Sequence, residues 1–281
     1  MFTDVNQIII THILKVMISM YDRIGLKQIN FGRSKEIKNE GGNLERQIYF
    51  WIEDRKTGAS YQFWEKFLNQ LFPMVHIESK GNSSELIKAI KSLDDSQNRY
   101  IIMLDNSFDN PQIAMERKKL EQYLKLHANL VLLDIICFEY VLLEFEELID
   151  WIYAVDDEFI VRRAKVITAR EDLITCIATG DLNYKMLSGV VKYDDKVNEH
   201  NIEQLSAKLL FDLTRNTGFE VSKGTIGPCW IKSCCDWESR DVDDICGLDY
   251  RRITARDKML RIYEGTCLKN QFSSVGLEVI Q

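Results

Sequence analysis

The segment from Tyr100 to Asp109 reads YIIMLDNSFD. Its first five residues are apolar without interruption, and the run ends at Asp105. A short apolar run of this kind, preceded by SQN and followed by NP, predicts a strand that is buried on both faces. Open α/β sheets bind their ligands at the carboxyl ends of such strands. Asp105 and Asp109 are therefore the first candidates for a binding site.

Two interpretations of these aspartates are open from the segment alone. Short acidic side chains near a tight turn can converge on one divalent cation, because hard cations prefer several oxygen ligands. Alternatively, Asp105 ends the strand and Asp109 caps the helix that follows, and aspartate does both without a metal.

The composition is that of an ordinary globular protein of 281 residues, with 46% apolar and 28% charged residues. The net charge of −7, from 36 basic and 43 acidic residues, argues against broad, non-specific binding to nucleic acid. An enzyme that meets phosphates through a bound metal is still compatible with this charge, because the cation inverts the local field. No apolar run approaches the roughly 18 residues of a membrane helix, and no signal peptide is recognisable. We therefore expect a cytoplasmic protein without membrane contact.

Short apolar runs alternate with helical patterns in the middle of the chain. The predicted strands are Ile48–Ile52, Met74–Ile77, Tyr100–Leu104 and Leu130–Ile136, and the predicted helices are Ala59–Phe72, Glu85–Leu93, Pro111–His127 and Phe138–Tyr153. This alternation is typical of a parallel sheet with right-handed crossovers. The predicted fold class is α/β, with a small parallel sheet and flanking helices of the TOPRIM/Rossmann-like kind.

The pattern divides the chain into three parts. Residues 1–46 are predicted to form a helical arm, with a helix from Val5 to Ile24, and a loop. Residues 47–155 form the α/β part, and residues 156–281 form a mostly helical region with a cysteine-rich tail. The helices predicted in that last region are Glu158–Ala178, Tyr184–Val191 and Ile202–Thr217.

Acidic residues recur where the predicted strands end. Glu53 follows the first strand, Asp105 and Asp109 follow the third, and Glu139 comes just after the fourth. The carboxyl ends of parallel strands lie along one edge of the sheet, so these side chains can meet. Several carboxylates in one place repel each other unless protons or cations neutralise them. A magnesium site uses such an arrangement to stabilise charge on a phosphoryl group.

The order of these residues resembles the TOPRIM (topoisomerase–primase) domain, especially the TOPRIM-like nucleases linked to bacterial defence. The resemblance covers about residues 47–150, and its matching segments are Ile48–Glu53, Gly81, Leu104–Asp109 and Cys137–Leu143. It implies a nuclease that depends on Mg²⁺ or Mn²⁺ and acts on nucleic acid. Glu53 would then be the catalytic base or a metal ligand, and Asp105, Asp109 and Glu139 would be metal ligands.

The sequence also departs from the family pattern. Asp54 stands where the family usually has glycine, no acid occurs between Asp54 and Glu65, and Ser107 stands where an aspartate is often found. These departures leave an alternative open, in which the chain is a non-catalytic α/β interaction subunit that binds a protein partner. The sequence does not indicate the oligomeric state.

Two further patterns carry weaker signals. The turn from Lys80 to Glu85 opens a helix, and its amides could hold a phosphate; the alternative is a plain cap by Ser83 or Ser84. The tail contains Cys229, Cys234, Cys235, Cys246 and Cys267. Their spacing lacks the paired C-x-x-C of zinc knuckles, so we expect buried free thiols rather than a zinc site.

Overall fold

The computed structural model of the chain describes residues 46–153, 157–181, 183–187, 201–222, 224–234 and 253–279. These residues belong to one compact unit, residues 45–281. The helix predicted from Val5 to Ile24 lies outside the described residues, as do Cys235 and Cys246.

The predicted α/β fold class is confirmed. The sheet part contains β1 (Ile48–Ile52), α1 (Ala59–Leu71), β2 (Val75–Ser79), α2 (Ser83–Lys91), β3 (Arg99–Met103), α3 (Pro111–Leu124) and β4 (Leu130–Leu132). Its four strands are all parallel and lie in the order β2-β1-β3-β4. A helix joins each strand to the next, as parallel pairing requires.

Both faces of the sheet are buried, which explains the unbroken apolar runs. Phe50 and Ile52 of β1 face one core, whereas Trp51 between them faces a second core together with Ile102 of β3. Helices α2 and α3 contribute residues to the second core. The first core contains residues of α1 and of helices from the last third of the chain. The sheet therefore has no face left open to solvent along its central strands.

The rest of the described chain is mostly helical, as predicted. It contains α4 (Phe138–Glu144), α5 (Leu148–Ile152), α6 (Asp157–Thr179), a 3₁₀ turn (Tyr184–Leu187), α7 (Ile202–Thr214), the short strands β5 (Val221–Ser222) and β6 (Thr225–Ile226), α8 (Pro228–Ile231), α9 (Ala255–Gly265) and α10 (Leu268–Ser274). Helix α7 packs against α4. The first core runs through both the sheet part and this helical region without a break.

The prediction of a single helix from Phe138 to Tyr153 is wrong, because the structure has two helices there, α4 and α5. The backbone leaves the helical conformation at Phe145. Arg170 of α6 donates hydrogen bonds to the carbonyl oxygens of Leu143 (2.6 Å) and Phe145 (2.9 Å). The last carbonyl groups of a helix have no partner within it. A buried arginine from another helix therefore completes the end of α4.

The strand predicted from Leu130 to Ile136 is also shorter in the structure. Strand β4 ends at Leu132 rather than Ile136, and the carbonyl groups of Ile135 and Ile136 instead accept the amide of Asn106. Of the helix predicted from residue 184 to 191, the described part is the 3₁₀ turn. No helix among the described residues is long and apolar enough to cross a membrane.

Candidate active site at the carboxyl edge of the sheet

The order in which the chain adds strands to the sheet reverses between β1 and β3. The chain passes from β1 to β2 on one side, whereas β3 and β4 lie on the other side. Ile52 of β1 is level with Ser79 of β2 and with Met103 of β3, so the central strands end together. Open α/β sheets bind ligands in the crevice that forms at such a reversal. The residues that follow β1 and β3 are therefore in the position where a ligand is expected.

Glu53 and Asp105 meet at this position. Oε1 of Glu53 accepts a hydrogen bond of 3.2 Å from the backbone amide of Asp105. Both side chains are partly buried rather than sealed from solvent. Burial and the neighbouring acids Asp54 and Glu203 raise the pKa of Glu53 to about 7, against the lowering effect of the amide of Asp105. Burial and repulsion from Glu53 hold the pKa of Asp105 well above its usual range.

Glu139 joins the same group from the first turn of α4. Burial, together with repulsion from Asp54 and Glu203, raises its pKa to about 7, although its own amide and the thiol of Cys137 act in the opposite direction. Its charge in turn raises the pKa of Asp105. Of the sequence-predicted ligands, the structure therefore brings Glu53 and Glu139 each within range of repulsion with Asp105.

Two acids that were not predicted as site residues complete this group. Asp54 accepts a hydrogen bond of 2.8 Å from the hydroxyl of Ser60, and burial raises its pKa. Glu203 comes from α7, where its Oε2 accepts a hydrogen bond of 3.3 Å from the hydroxyl of Ser107. No sequence pattern pointed to Glu203, because an acid in the first turn of a helix is a common stabilising feature. We call Glu53, Asp54, Asp105, Glu139 and Glu203 the carboxylate cluster.

Asp109 does not join the carboxylate cluster in the structure. Its Oδ2 accepts hydrogen bonds from the hydroxyl of Tyr184 (2.8 Å) and from the amide of Ile202 (2.9 Å) at the start of α7. It also does not cap α3, since the side chain of Asn110 accepts the hydrogen bond from the amide of Gln112. Asp109 therefore contacts the helical region, and its predicted role as a metal ligand remains a prediction.

Arg117 of α3 holds the strand ends behind the cluster. Its buried guanidinium donates to the carbonyl oxygens of Leu104 (3.1 Å) and Leu133 (3.0 Å), which follow β3 and β4. It also forms an ion pair of 3.0 Å with Asp134. These contacts fix the segment that carries Asp105, because the planar guanidinium bridges two chain segments in one geometry.

The carboxylate cluster has the chemistry of a hard-cation site but not its spacing. All five side chains supply oxygen atoms, which Mg²⁺ and Mn²⁺ prefer. Among the described residues, however, no group of three or more His, Cys, Asp or Glu side chains is arranged to hold a metal ion. Glu53, for example, is turned toward the amide of Asp105. Binding of an ion would require these side chains to move from the positions they have here.

The turn before α2 is a helix cap, but not the predicted one. The side chain of Asn82, rather than Ser83 or Ser84, accepts a hydrogen bond of 2.9 Å from the amide of Glu85. Lys80 lies 3.8 Å from the centre of the Trp51 ring and forms an ion pair with Glu78. The lysine of this turn is thus already engaged within the protein.

The cysteine-rich tail is only partly described. Cys229 and Cys234 are half-buried. Cys267, also half-buried, donates its amide to Glu144 at 2.7 Å, and burial beside this carboxylate raises the pKa of its thiol. Because Cys235 and Cys246 lie outside the described residues, the expectation that the tail holds no zinc remains a prediction.

Comparison of the chain with protein-family models, with curated proteins and with solved structures found no match. The resemblance to TOPRIM-like nucleases therefore remains a prediction from the sequence motifs.

Proposed function

We propose that the carboxylate cluster is the active site of a TOPRIM-like phosphodiesterase that depends on Mg²⁺ or Mn²⁺ and cleaves nucleic acid. The observation that carries this proposal is the convergence of Glu53, Asp105 and Glu139 beside the reversal of strand order. Three separate chain segments bring these acids to the place where α/β sheets bind ligands, and Asp105 repels both Glu53 and Glu139 there. Carboxyl groups with perturbed pKa values that lie together in this way are typical of functional sites. The sequence resemblance makes a cytoplasmic defence-system effector the proposed biological setting.

The residues proposed to hold the ion are Glu53, Asp105 and Glu139, with Glu203 beside them. When bound, the ion would offset the repulsion within the cluster and stabilise negative charge on a phosphoryl group. Asp54 adds negative charge to the site and is oriented by Ser60. We do not assign Asp109 to this set, because its Oδ2 already accepts two hydrogen bonds from other parts of the chain.

Glu53 is the proposed general base. The amide of Asp105 orients its carboxylate. Burial raises the pKa of this carboxylate to about 7 in the metal-free chain. A bound cation would lower that pKa and keep the carboxylate in the ionised form that accepts a proton. The chain would use this carboxylate to take the proton from the attacking water.

The surroundings of the cluster favour nucleic acid as the substrate. Arg55 and Lys56 follow Asp54 in the sequence and are exposed, so they can contact phosphates beside the site. Phe108 lies between Asp105 and Asp109 in the sequence and is 43% exposed. Exposed aromatic rings stack on nucleic-acid bases. Because the net charge is −7, binding would depend on these few local contacts rather than on a broad basic surface.

A second candidate function is that of a non-catalytic interaction subunit with a degenerate TOPRIM-like site. Two observations favour it: the spacing of the cluster does not close around an ion in the described residues, and Asp109 contacts α7. In this case the carboxylates would face a protein partner with basic groups.

Metal binding and cleavage together separate the two candidates. We would titrate the full chain with Mg²⁺ and with Mn²⁺ by calorimetry, and assay cleavage of single- and double-stranded DNA and RNA. The test variant is Glu53→Gln, which keeps the volume and the hydrogen-bond acceptor. The control is Glu264→Gln, because Glu264 is exposed on α9.

The enzyme proposal predicts millimolar or tighter metal binding and cleavage that Glu53→Gln reduces by about 10²–10⁴-fold, the usual contribution of a general base. The control variant should retain full activity. Absence of metal binding, or equal activity of Glu53→Gln and wild type on every substrate, would contradict the enzyme proposal and favour the interaction subunit.

A further inference from the structure

The loop between β3 and α3 carries three alternate side chains that contact either the carboxylate cluster or the start of α7. Asp105 enters the carboxylate cluster, Ser107 donates its hydroxyl to Glu203 (3.3 Å), and Asp109 accepts the amide of Ile202 (2.9 Å). Two of these three contacts are with the first turn of α7, more than 90 residues further along the chain. The loop thus connects the sheet edge directly to the helix that carries Glu203.

The backbone of this loop is held in place by its own hydrogen bonds. The amide of Asn106 donates to the carbonyl oxygens of Ile135 (3.0 Å) and Ile136 (2.8 Å), and the amide of Asn110 donates to Ser107 (2.9 Å). The side chain of Ser107 is fully buried. Because the backbone of this loop is held in place, its side chains can hold the groups that they contact in defined positions.

Asp109 stabilises the start of α7 in addition to the local cap by Asn201. The first amides of a helix have no partner within the helix and need an acceptor from elsewhere. Asp109 supplies an acceptor oxygen to the amide of Ile202, and the buried Tyr184 holds the same carboxylate oxygen through its hydroxyl. Glu203 is the next residue of that helix, so its position depends on where this first turn lies.

We propose that Asp109 is a positioning residue of the active site, which fixes the first turn of α7 so that Ser107 and the metal-binding carboxylates meet Glu203. The inference rests on the proposed function, because it takes the carboxylate cluster to bind a divalent cation. It assigns to Asp109 a role that differs from direct ligation. A positioning residue needs a hydrogen-bond acceptor, whereas a metal ligand needs the negative charge of a carboxylate.

This difference can be measured with Mn²⁺ binding by calorimetry on the full chain. Asp109→Asn keeps an acceptor oxygen and loses the charge, and Asp109→Ala loses both. We expect Asp109→Ala to weaken Mn²⁺ binding by about 10- to 100-fold, the usual effect of losing a group that orients metal ligands. Asp109→Asn should remain within about threefold of wild type. If both variants bind Mn²⁺ equally weakly, Asp109 acts through its charge and the inference is wrong.

A double variant tests whether Asp109 acts through Glu203. Glu203→Gln alone should weaken Mn²⁺ binding, and adding Asp109→Ala to it should cause no further loss, because residues that act through one another are not additive. Additive losses would overturn the inference. Asn110→Ala is the matched control, since it removes the cap of α3 from the same loop without touching α7. This control should lower thermal stability and leave Mn²⁺ affinity unchanged; an equal loss of affinity would overturn the inference.

Tyr184→Phe and the Mn²⁺ affinity of the wild-type chain provide further tests of the inference. If Asp109→Ala does not fold, Tyr184→Phe removes one of the two donors to Asp109 and should weaken Mn²⁺ binding severalfold; unchanged affinity would contradict the inference. A wild-type chain that binds no Mn²⁺ would overturn the proposed function and this inference together. If Glu203→Gln binds Mn²⁺ as tightly as wild type, the inference is wrong but the proposed function still stands.

Discussion

Replacing Glu139 by glutamine should change how the stability of the metal-free protein depends on pH. Burial and the neighbouring acids raise the pKa of Glu139 to about 7, compared with 4.5 for an ordinary glutamate. A carboxyl group whose pKa is higher in the folded state favours folding while it is protonated. That contribution is complete below the unfolded pKa and is lost as the pH rises through the folded pKa. Glutamine does not titrate, so Glu139→Gln should lack this pH-dependent loss of stability.

The size of the effect follows from the difference between the two pKa values. A rise from 4.5 to about 7 corresponds to roughly 3 kcal/mol of unfolding free energy over the whole titration. Somewhat more than half of this loss falls between pH 5.5 and pH 8, and solvent screens part of it because the side chain is partly exposed. We therefore expect wild type to lose about 1.5 kcal/mol relative to Glu139→Gln over this range.

The assay is urea unfolding at both pH values without divalent cations, followed by tryptophan fluorescence. Glu264→Gln serves as the control, because an exposed glutamate on α9 should leave the pH dependence as it is in wild type. If wild type and Glu139→Gln show parallel pH dependence, Glu139 does not share the repulsion that we infer at the sheet edge. Glu139 would then not belong to the carboxylate cluster.

Three other substitutions test separate parts of the structure. Asp105→Asn should leave the metal-free protein as stable as wild type or slightly more stable, since it relieves repulsion, and it should abolish the rise in melting temperature caused by Mg²⁺; strong destabilisation without metal would instead indicate a structural role. Phe108→Ala should raise KM for single-stranded substrates more than it lowers kcat, because base stacking contributes to binding; an unchanged KM would exclude a stacking role. Arg170→Met should lower the unfolding free energy by about 2 kcal/mol, because two buried carbonyl groups lose a charged donor. A change in the urea midpoint smaller than that of an ordinary surface substitution would contradict the last prediction.

The sheet could be predicted because its strands satisfy a simple local rule. Strands β1 and β3 are buried on both faces, so their sequences are continuously apolar and end abruptly at polar residues. The same rule placed Glu53 and Asp105 at the edge, where the structure brings them together. Glu139 was found in this way as well, although the strand before it is shorter than predicted.

The misses around the site and at the end of α4 involve contacts between residues that are distant in the chain. Nothing near Asp109 indicates that its carboxylate accepts the amide of Ile202. Nothing near Phe145 indicates that Arg170 satisfies the carbonyl groups where α4 ends. Glu203 is an ordinary first-turn acid until the packing of α7 brings it to the sheet edge. Periodicity and strand-end rules describe neighbours in sequence, so they cannot supply these pairings.

The central pairing of β1 with β3 also has a consequence for the order in which the protein folds. Ile48 pairs with Arg99 and Ile52 with Met103, so this ladder closes a loop of about fifty residues. Such non-local pairings form slowly, because the entropy of closing the loop is lost before the contacts are gained. The same step forces Glu53 against Asp105, so electrostatic repulsion opposes the slow event itself. Acid or a bound cation would therefore act on the rate at which this protein reaches its native state, and not only on the stability of that state.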